Sequence, residues 1–161
     1  MEKFIAENKA DIDLSIGRKP KDFSAKTIDG KTFNSTENKG KLWLIFVYDR
    51  DYLTKTETYD LVADVKQAHI KYGDKIAMLG IVSGFSDDEP SLRKLLTAAN
   101  IPFRQIDNTE GPGKEVQLKD NVICTPARIL IGTDGKVIYN KCGGNLDMLE
   151  YKLDSLIKLN K

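Results

Sequence analysis

Cysteine and histidine are scarce in this sequence, which contains two cysteines and one histidine among its 161 residues. Two cysteines, Cys124 and Cys142, are too few for the disulfide framework that holds small secreted domains together. No grouping of cysteine and histidine has the spacing of a zinc site, so we predict no bound metal. The segment "EGPGKE" (110–115) lacks the Walker pattern of phosphate-binding loops, and we predict no cofactor.

The sequence also lacks an excess of charge of one sign and any long apolar run. Its 25 basic and 24 acidic residues give a net charge of +1, which argues against nucleic acid or an anionic membrane as the main partner. No apolar run approaches the roughly 18 residues of a membrane span. The opening "MEKFIAENKADIDLS" is mixed in charge and does not resemble a signal peptide.

Continuous apolar runs and amphipathic stretches alternate along the chain. The runs "LWLIFVY" and "KIAMLGIVSG" predict strands buried on both faces, and "FRQI" predicts a short strand. Helices are predicted over about 54–72, 86–100 and 146–159, and "KEVQL" (114–118) predicts a short fourth helix. "FSAKTIDGKTF" and "RILIGTDGKVIYN" each contain an Asp-Gly pair between strand-like pieces, which predicts tight turns.

This order of elements predicts an α/β fold. Strands that alternate with helices favour a mixed, mostly parallel central sheet with helices on both faces, and the last two strands form a closing β-hairpin. The length is that of one domain. We predict a loose N-terminal lead-in over residues 1–15 and a single domain over residues 16–161.

Several strings within residues 16–159 resemble one fold family. They are "IGRKPKDFSAKTIDGKTF", "GKLWLIFVYD", "IAMLGIVSGFSDDEPSLRKLL", "IPFRQIDN" and "VICTPARILIGTDGKVIYNKCGG". Together they resemble the thioredoxin fold, and more narrowly the TlpA-like thiol-disulfide oxidoreductases and the AhpC/TSA redoxins. The most specific string is "CTPARILIGTDGK". The resemblance implies that Pro126 is the family's cis-proline, and that the backbone at Thr125 presents an edge to extended substrates.

The chain departs from the family at the junction between the first apolar run and the helix that follows. Family members carry W-C-x-x-C-[RK]-x-E there, whereas this chain reads "RDYLTKTE" (50–57). Arg50 takes the place of the tryptophan, and the Cys-x-x-Cys position reads Asp51, Tyr52, Leu53 and Thr54. Thiol-disulfide exchange needs an attacking thiolate and a second thiol that resolves the mixed disulfide. The resemblance implies a thiol-disulfide oxidoreductase, and these residues predict that the activity is lost at this junction.

Asp51 and Thr54 have three interpretations. "TKTE" is a Thr-x-x-Glu capping box, and Asp51 is an alternative N-cap whose carboxylate the helix dipole favours. Alternatively, Asp51 acts with Asp49 and with Tyr48 or Tyr52 as an acid-base or cation site. The third interpretation makes the junction part of a docking surface for a peptide or protein.

Cys124 and Cys142 are the candidate thiols for a redox site built differently from the family's. Centring the hairpin turn on Asp134-Gly135 places Cys142 opposite Ala127, three positions from Cys124. Three positions correspond to about 10 Å along a straight strand, whereas a disulfide needs Cα atoms within about 7 Å. A bend at Pro126 would shorten this gap. Three interpretations of the two cysteines stay open: a redox pair, a single reactive thiol, or two inert residues in the core or at the rim of the site.

From the residues and the resemblance we predict a degenerate thioredoxin-like protein that binds a protein or peptide at the Thr125–Pro126 edge, with Arg50, Thr125 and Pro126 as the binding residues. The alternative is an unconventional redox protein that uses Cys124 and Cys142. We expect a monomer or weak dimer. Family members are often exported in bacteria, so a location in the periplasm or cell envelope is expected by analogy.

The capping interpretation predicts a loss of stability from either of two substitutions. Asp51→Ala and Thr54→Ala should each destabilise the start of the helix by about 1 kcal/mol, because an exposed backbone N–H loses its acceptor. Thermal unfolding followed by circular dichroism measures this loss. Unchanged melting temperatures in both variants would contradict the capping interpretation.

Overall fold

The computed structural model describes residues 11–49, 61–83, 94, 96–108, 117–118, 127–142 and 153–156. The strands are β1 (Asp11–Ile12), β2 (Ser24–Lys26), β3 (Thr32–Asn34), β4 (Trp43–Asp49), β5 (Ala77–Ser83), β6 (Gln105–Asp107), β7 (Gln117–Leu118), β8 (Ala127–Ile131) and β9 (Val137–Cys142). Helix α1 spans Leu61–Tyr72, and a 3₁₀ turn spans Ser35–Asn38. Residues 94, 96–99 and 153–156 are also helical, within the second and last predicted helices.

The central sheet has five strands in the order β6-β5-β4-β8-β9. β4, β5 and β6 are parallel, β8 pairs with β4 in the antiparallel sense, and β9 pairs with β8 in the antiparallel sense. The mixed sheet with a closing hairpin, predicted from the order of the elements, is therefore confirmed.

β4 is buried on both faces, as its unbroken apolar run predicts. Leu44, Phe46 and Tyr48 enter one core cluster, whereas Ile45 and Val47 enter another on the opposite face. None of these five side chains is more than 1% exposed. Burial of a large apolar side chain contributes roughly 1.5–3 kcal/mol, so this strand anchors both halves of the core.

The described helices pack against one face of the sheet. Val65, Ala68 and Tyr72 of α1 share a cluster with Ala99 and Leu153 from the other two helical segments. The strands β4, β5 and β6 follow one another in a single direction across the sheet, so two right-handed crossovers bring their helices to the same side. We predicted helices on both faces; in the described part of the chain, the opposite face is instead covered by strands.

The cover on that second face begins at residue 11. Ile12 and Leu14 are at most 1% exposed and pack with Ala25 and Phe33 from β2 and β3. Ile12 and Leu14 are thus part of the core, although we expected residues 1–15 to be loose. The division of the chain at residue 15 stays a prediction.

The prediction of a helix over "KEVQL" (114–118) is wrong for its last two residues. Gln117–Leu118 form β7, which pairs in parallel with β1. Lys, Glu, Gln and Leu all favour helix locally, but this preference is weak and tertiary pairing overrides it. Asp11 and Ile12 supply the backbone partners of β7, and no local sequence pattern predicts this pairing.

Both predicted Asp-Gly turns are confirmed. Gly30 and Gly135 have φ values of 87° and 85°, a left-handed conformation that glycine adopts without strain. In the β8–β9 hairpin, Ala127 pairs with Cys142 and Arg128 with Lys141, the register expected from a turn at Asp134-Gly135. A register shift follows between Leu130 and Ile131.

A buried hydrogen bond crosses β5 from β6 to β4. The Tyr48 hydroxyl donates to Oε1 of Gln105, and both side chains are buried. Gly80 lies between them, paired with Phe46 on one side and Gln105 on the other. A Cβ at Gly80 would overlap Oε1 of Gln105 and lie 2.8 Å from its Nε2. Glycine is therefore required here because the amide passes over its backbone.

We predict that Gly80→Ala destabilises the protein by about 1–3 kcal/mol, because the added methyl group displaces the Gln105 amide. In a Gln105→Ala background the same substitution should cost less, with a coupling of about 0.5–3 kcal/mol between the two positions. Urea unfolding of the four proteins measures both quantities.

Gly132→Ala provides the control for this cycle, since its nearest atom would lie 3.2 Å away at the end of a side chain. Equal losses for Gly80→Ala and Gly132→Ala, with no coupling to Gln105, would refute the account.

Candidate functional site

Three strand ends meet at one end of the central sheet. We call this end, where β4 and β9 finish and β8 begins, the edge. Val47, near the end of β4, pairs with Ala127, the first residue of β8. Ala127 also pairs with Cys142, the last residue of β9. Because β4 and β9 both run antiparallel to β8, the chain leaves β4 and β9 at the edge where it enters β8.

The residues predicted to form the site adjoin these strand ends in sequence. Arg50 follows the end of β4, and Pro126 precedes the start of β8. Most of the predicted residues lie outside the described residues; they are Arg50, Asp51, Tyr52, Leu53, Thr54, Cys124, Thr125 and Pro126. Their roles stay predictions. The ladder nevertheless brings the end of β4 and the start of β8, which adjoin them in sequence, to the same edge of the sheet.

The backbone of Cys142 is described, and it lies directly opposite Ala127. This is the register on which the sequence-based separation of about 10 Å depended. Cys124 lies three positions before Ala127 and outside the described residues. Whether the two thiols pair stays a prediction.

Two polar residues at this edge, Ser83 and Asn108, form hydrogen bonds to neighbouring strands. Ser83, at the end of β5, donates its hydroxyl to the Tyr48 carbonyl oxygen over 3.3 Å. The backbone N–H of Asn108 donates to the Val82 carbonyl oxygen over 2.7 Å, and the Asn108 side chain is buried. These contacts join the ends of β4, β5 and β6. Sequence reasoning missed them, although a polar residue directly after an apolar run is a visible signal.

Ile45 lies within β4, six positions before Asp51. It is 1% exposed and packs in the cluster on the face opposite Tyr48. An aliphatic side chain cannot accept or donate a proton. This position therefore offers no group for the proton transfer that a dithiol reaction requires.

A charged pair lies just behind the edge. The Arg128 side chain is 2% exposed, and its Nη2 lies 4.0 Å from Oδ2 of Asp64 on α1. The arginine interrupts the apolar string "ARILI", which could have marked it as unusual for a buried strand. Burial raises the pKa of the Tyr139 hydroxyl, and the nearby Arg128 charge lowers it in part.

Neither a metal centre nor a membrane span is present in the part of the chain that the structure describes. There, no group of three or more His, Cys, Asp or Glu side chains is placed to hold a metal ion. The described helices include none that is long and apolar enough to cross a membrane.

Solved structures resemble this arrangement over most of the chain. A thiol-disulfide oxidoreductase from Bacteroides fragilis is 17% identical, with a TM-score of 0.65 over 86% of this chain and 99% of that one. The thioredoxin domain of a thiol-disulfide oxidoreductase from Bacteroides vulgatus is 14% identical, with a TM-score of 0.62 over 89% and 98%. The chain has a thioredoxin-like fold.

A further match is a secreted disulfide oxidoreductase from Mycobacterium tuberculosis, with 14% identity and a TM-score of 0.60 over 83% of this chain and 95% of that one. No protein-family model and no curated protein matches the chain. At these identities the likeness is one of fold, and the neighbours' activities do not transfer with it.

The buried tyrosine predicts a loss of stability in alkaline solution. Burial raises the pKa of Tyr48 well above its ordinary value. Above about pH 10 the unfolded chain releases this proton while the folded protein retains it, so the free energy of unfolding falls as the pH rises.

Urea unfolding between about pH 9 and pH 11 measures how the free energy of unfolding falls with pH. This fall should be shallower in Tyr48→Phe than in the parent protein, by up to about 1.4 kcal/mol per pH unit. The slope is compared because Tyr48→Phe also removes the hydrogen bond to Gln105. Identical slopes would show that Tyr48 ionises equally in the folded and unfolded states.

Proposed function

We propose that the protein is a thioredoxin-fold binding module that has lost dithiol-disulfide oxidoreductase activity and binds extended polypeptide at the Thr125–Pro126 edge. One observation carries the proposal. The chain that reads Asp51 and Thr54 at the family's two cysteine positions leaves β4 at the edge where β8 begins. The thioredoxin-like scaffold is thus present beside a junction without thiols.

The backbone before Ala127 is the part of this edge suited to pairing with a peptide. The described ladder occupies Ala127 on both sides, through Val47 and Cys142. Thr125 and Pro126 precede that ladder, and the resemblance assigns the pairing of extended substrates to this segment. Addition of a strand through backbone hydrogen bonds needs no thiol, so this function survives the loss of the cysteines.

A redox function through Cys124 and Cys142 is the second candidate. The observation that favours it is the position of Cys142 at the same edge, opposite Ala127. The offset of three positions from Cys124 weighs against it, since about 10 Å along a strand exceeds the reach of a disulfide. We therefore rank it below binding.

Reduction of insulin in the presence of dithiothreitol separates the two candidates. The parent protein should show no turnover above background, because it has no attacking and resolving thiols at the junction. Asp51→Cys/Thr54→Cys should gain turnover, since a helix N-terminus lowers the pKa of a thiol placed there. The control is Asp51→Cys alone, which lacks a resolving thiol. Parent turnover that disappears in Cys124→Ser would refute the binding module in favour of the redox protein.

Binding is tested with peptides selected from a phage-displayed library of extended sequences. Fluorescence anisotropy of a labelled selected peptide should give an affinity that falls about tenfold, or about 1.4 kcal/mol, when alternate peptide nitrogens are methylated, because their hydrogen bonds to the edge are lost. Pro126→Ala should weaken binding similarly. Thr133→Ala, an exposed position at the far end of the hairpin, is the control. Equal affinities for Pro126→Ala and Thr133→Ala would place the peptide elsewhere.

A further inference from the structure

Arg128 is a buried cation beside the proposed binding edge. It is the second residue of β8, and Pro126 stands two positions before it. In the sheet it lies between Phe46 of β4 and Lys141 of β9. A lysine directly opposite an arginine adds repulsion between like charges. The position is therefore an unfavourable one for a guanidinium unless acidic groups lie close to it.

Asp64 on α1 is such a group. Its Oδ2 lies 4.0 Å from Nη2 of Arg128, and the two side chains are 35% and 2% exposed. Removing a guanidinium from water is costly, and an apolar side chain at the same position would avoid that cost. Buried ion pairs are weak sources of stability, and their best attested use is to specify how elements are placed. We therefore explain the pair of Asp64 and Arg128 by its effect on how α1 is placed against β8, and not by a gain in stability.

Polar contacts hold α1 near both ends. Asp64, in the first described turn, contacts Arg128, and the hydroxyl of Tyr72, the last residue, donates to Oδ1 of Asp154 over 2.8 Å. Between them, Val65 and Ala68 pack in the core. Apolar burial selects the side of the helix that faces the sheet but is non-directional, and the charged and hydrogen-bonded contacts add directional constraints near the two ends of the helix. Of the two, the Asp64 contact is the one that reaches β8, next to the binding edge.

We propose that Asp64 and Arg128 are positioning residues for peptide binding. Their contact holds the start of β8, the described residues next to the proposed binding edge in sequence, at a fixed place relative to α1. This inference rests on the proposed function. It adds that peptide affinity depends on a residue pair that the peptide does not touch.

The test compares two matched substitutions on the polar contacts of α1, Asp64→Asn and Asp154→Asn. We expect Asp64→Asn to weaken the selected peptide about tenfold and Asp154→Asn to leave its affinity unchanged. Arg128→Met should weaken binding as much as Asp64→Asn, and combining the two should add little, because both remove the same contact. Asp64→Glu, which keeps the carboxylate, should bind the selected peptide with the affinity of the unsubstituted protein. Circular dichroism confirms that each variant is folded under the conditions of the titration.

A second measurement, without peptide, follows the backbone amide resonances of Ala127 and Arg128. They should shift in Asp64→Asn and stay in place in Asp154→Asn. Equal weakening by both substitutions, or unchanged resonances in Asp64→Asn, would overturn the positioning role alone. Failure of the unsubstituted protein to bind any selected peptide would refute the proposed function itself, and this result is visible before any variant is made.

Discussion

The fold depends on the burial of β4 on both of its faces. Alternate side chains of this strand enter two separate core clusters, and its backbone pairs with β5 on one side and β8 on the other. A strand with this burial cannot slip by one residue, since that would exchange the two sets of side chains. The register then determines where the chain leaves the sheet after Asp49, and it brings that point to the start of β8.

Directional polar contacts constrain the relative positions of strands and helices that apolar packing alone does not determine. The bond from Tyr48 to Gln105 crosses the bare backbone of Gly80 and joins three adjacent strands. The pair of Arg128 and Asp64 joins β8 to α1. Both lie on the helix-covered face of the sheet, near the end of β4 and the start of β8. A binding edge made from two distant chain segments needs such contacts, because its geometry depends on how those segments are placed.

The proposed loss of redox chemistry is compatible with an intact scaffold for a physical reason. Exchange of disulfides requires two sulfur atoms at the junction, whereas the sheet register arises from β4, β5 and β8. Replacing the sulfur atoms with a carboxylate and a hydroxyl therefore removes the chemistry and leaves the pairing of the strands untouched. A backbone edge for peptides requires only that pairing.

The sequence alone determined the buried strands, both Asp-Gly turns, the hairpin register at Cys142 and the absence of a Cys-x-x-Cys pair. These features depend on residue periodicity, turn chemistry and residue identity, all of which are local. Tertiary structure decided the pairing of β7 with β1, the burial of Ile12 and Leu14, and the contacts that Gly80 and Arg128 make. Each of these joins residues far apart in the chain, and a short window of sequence carries no record of its distant partner.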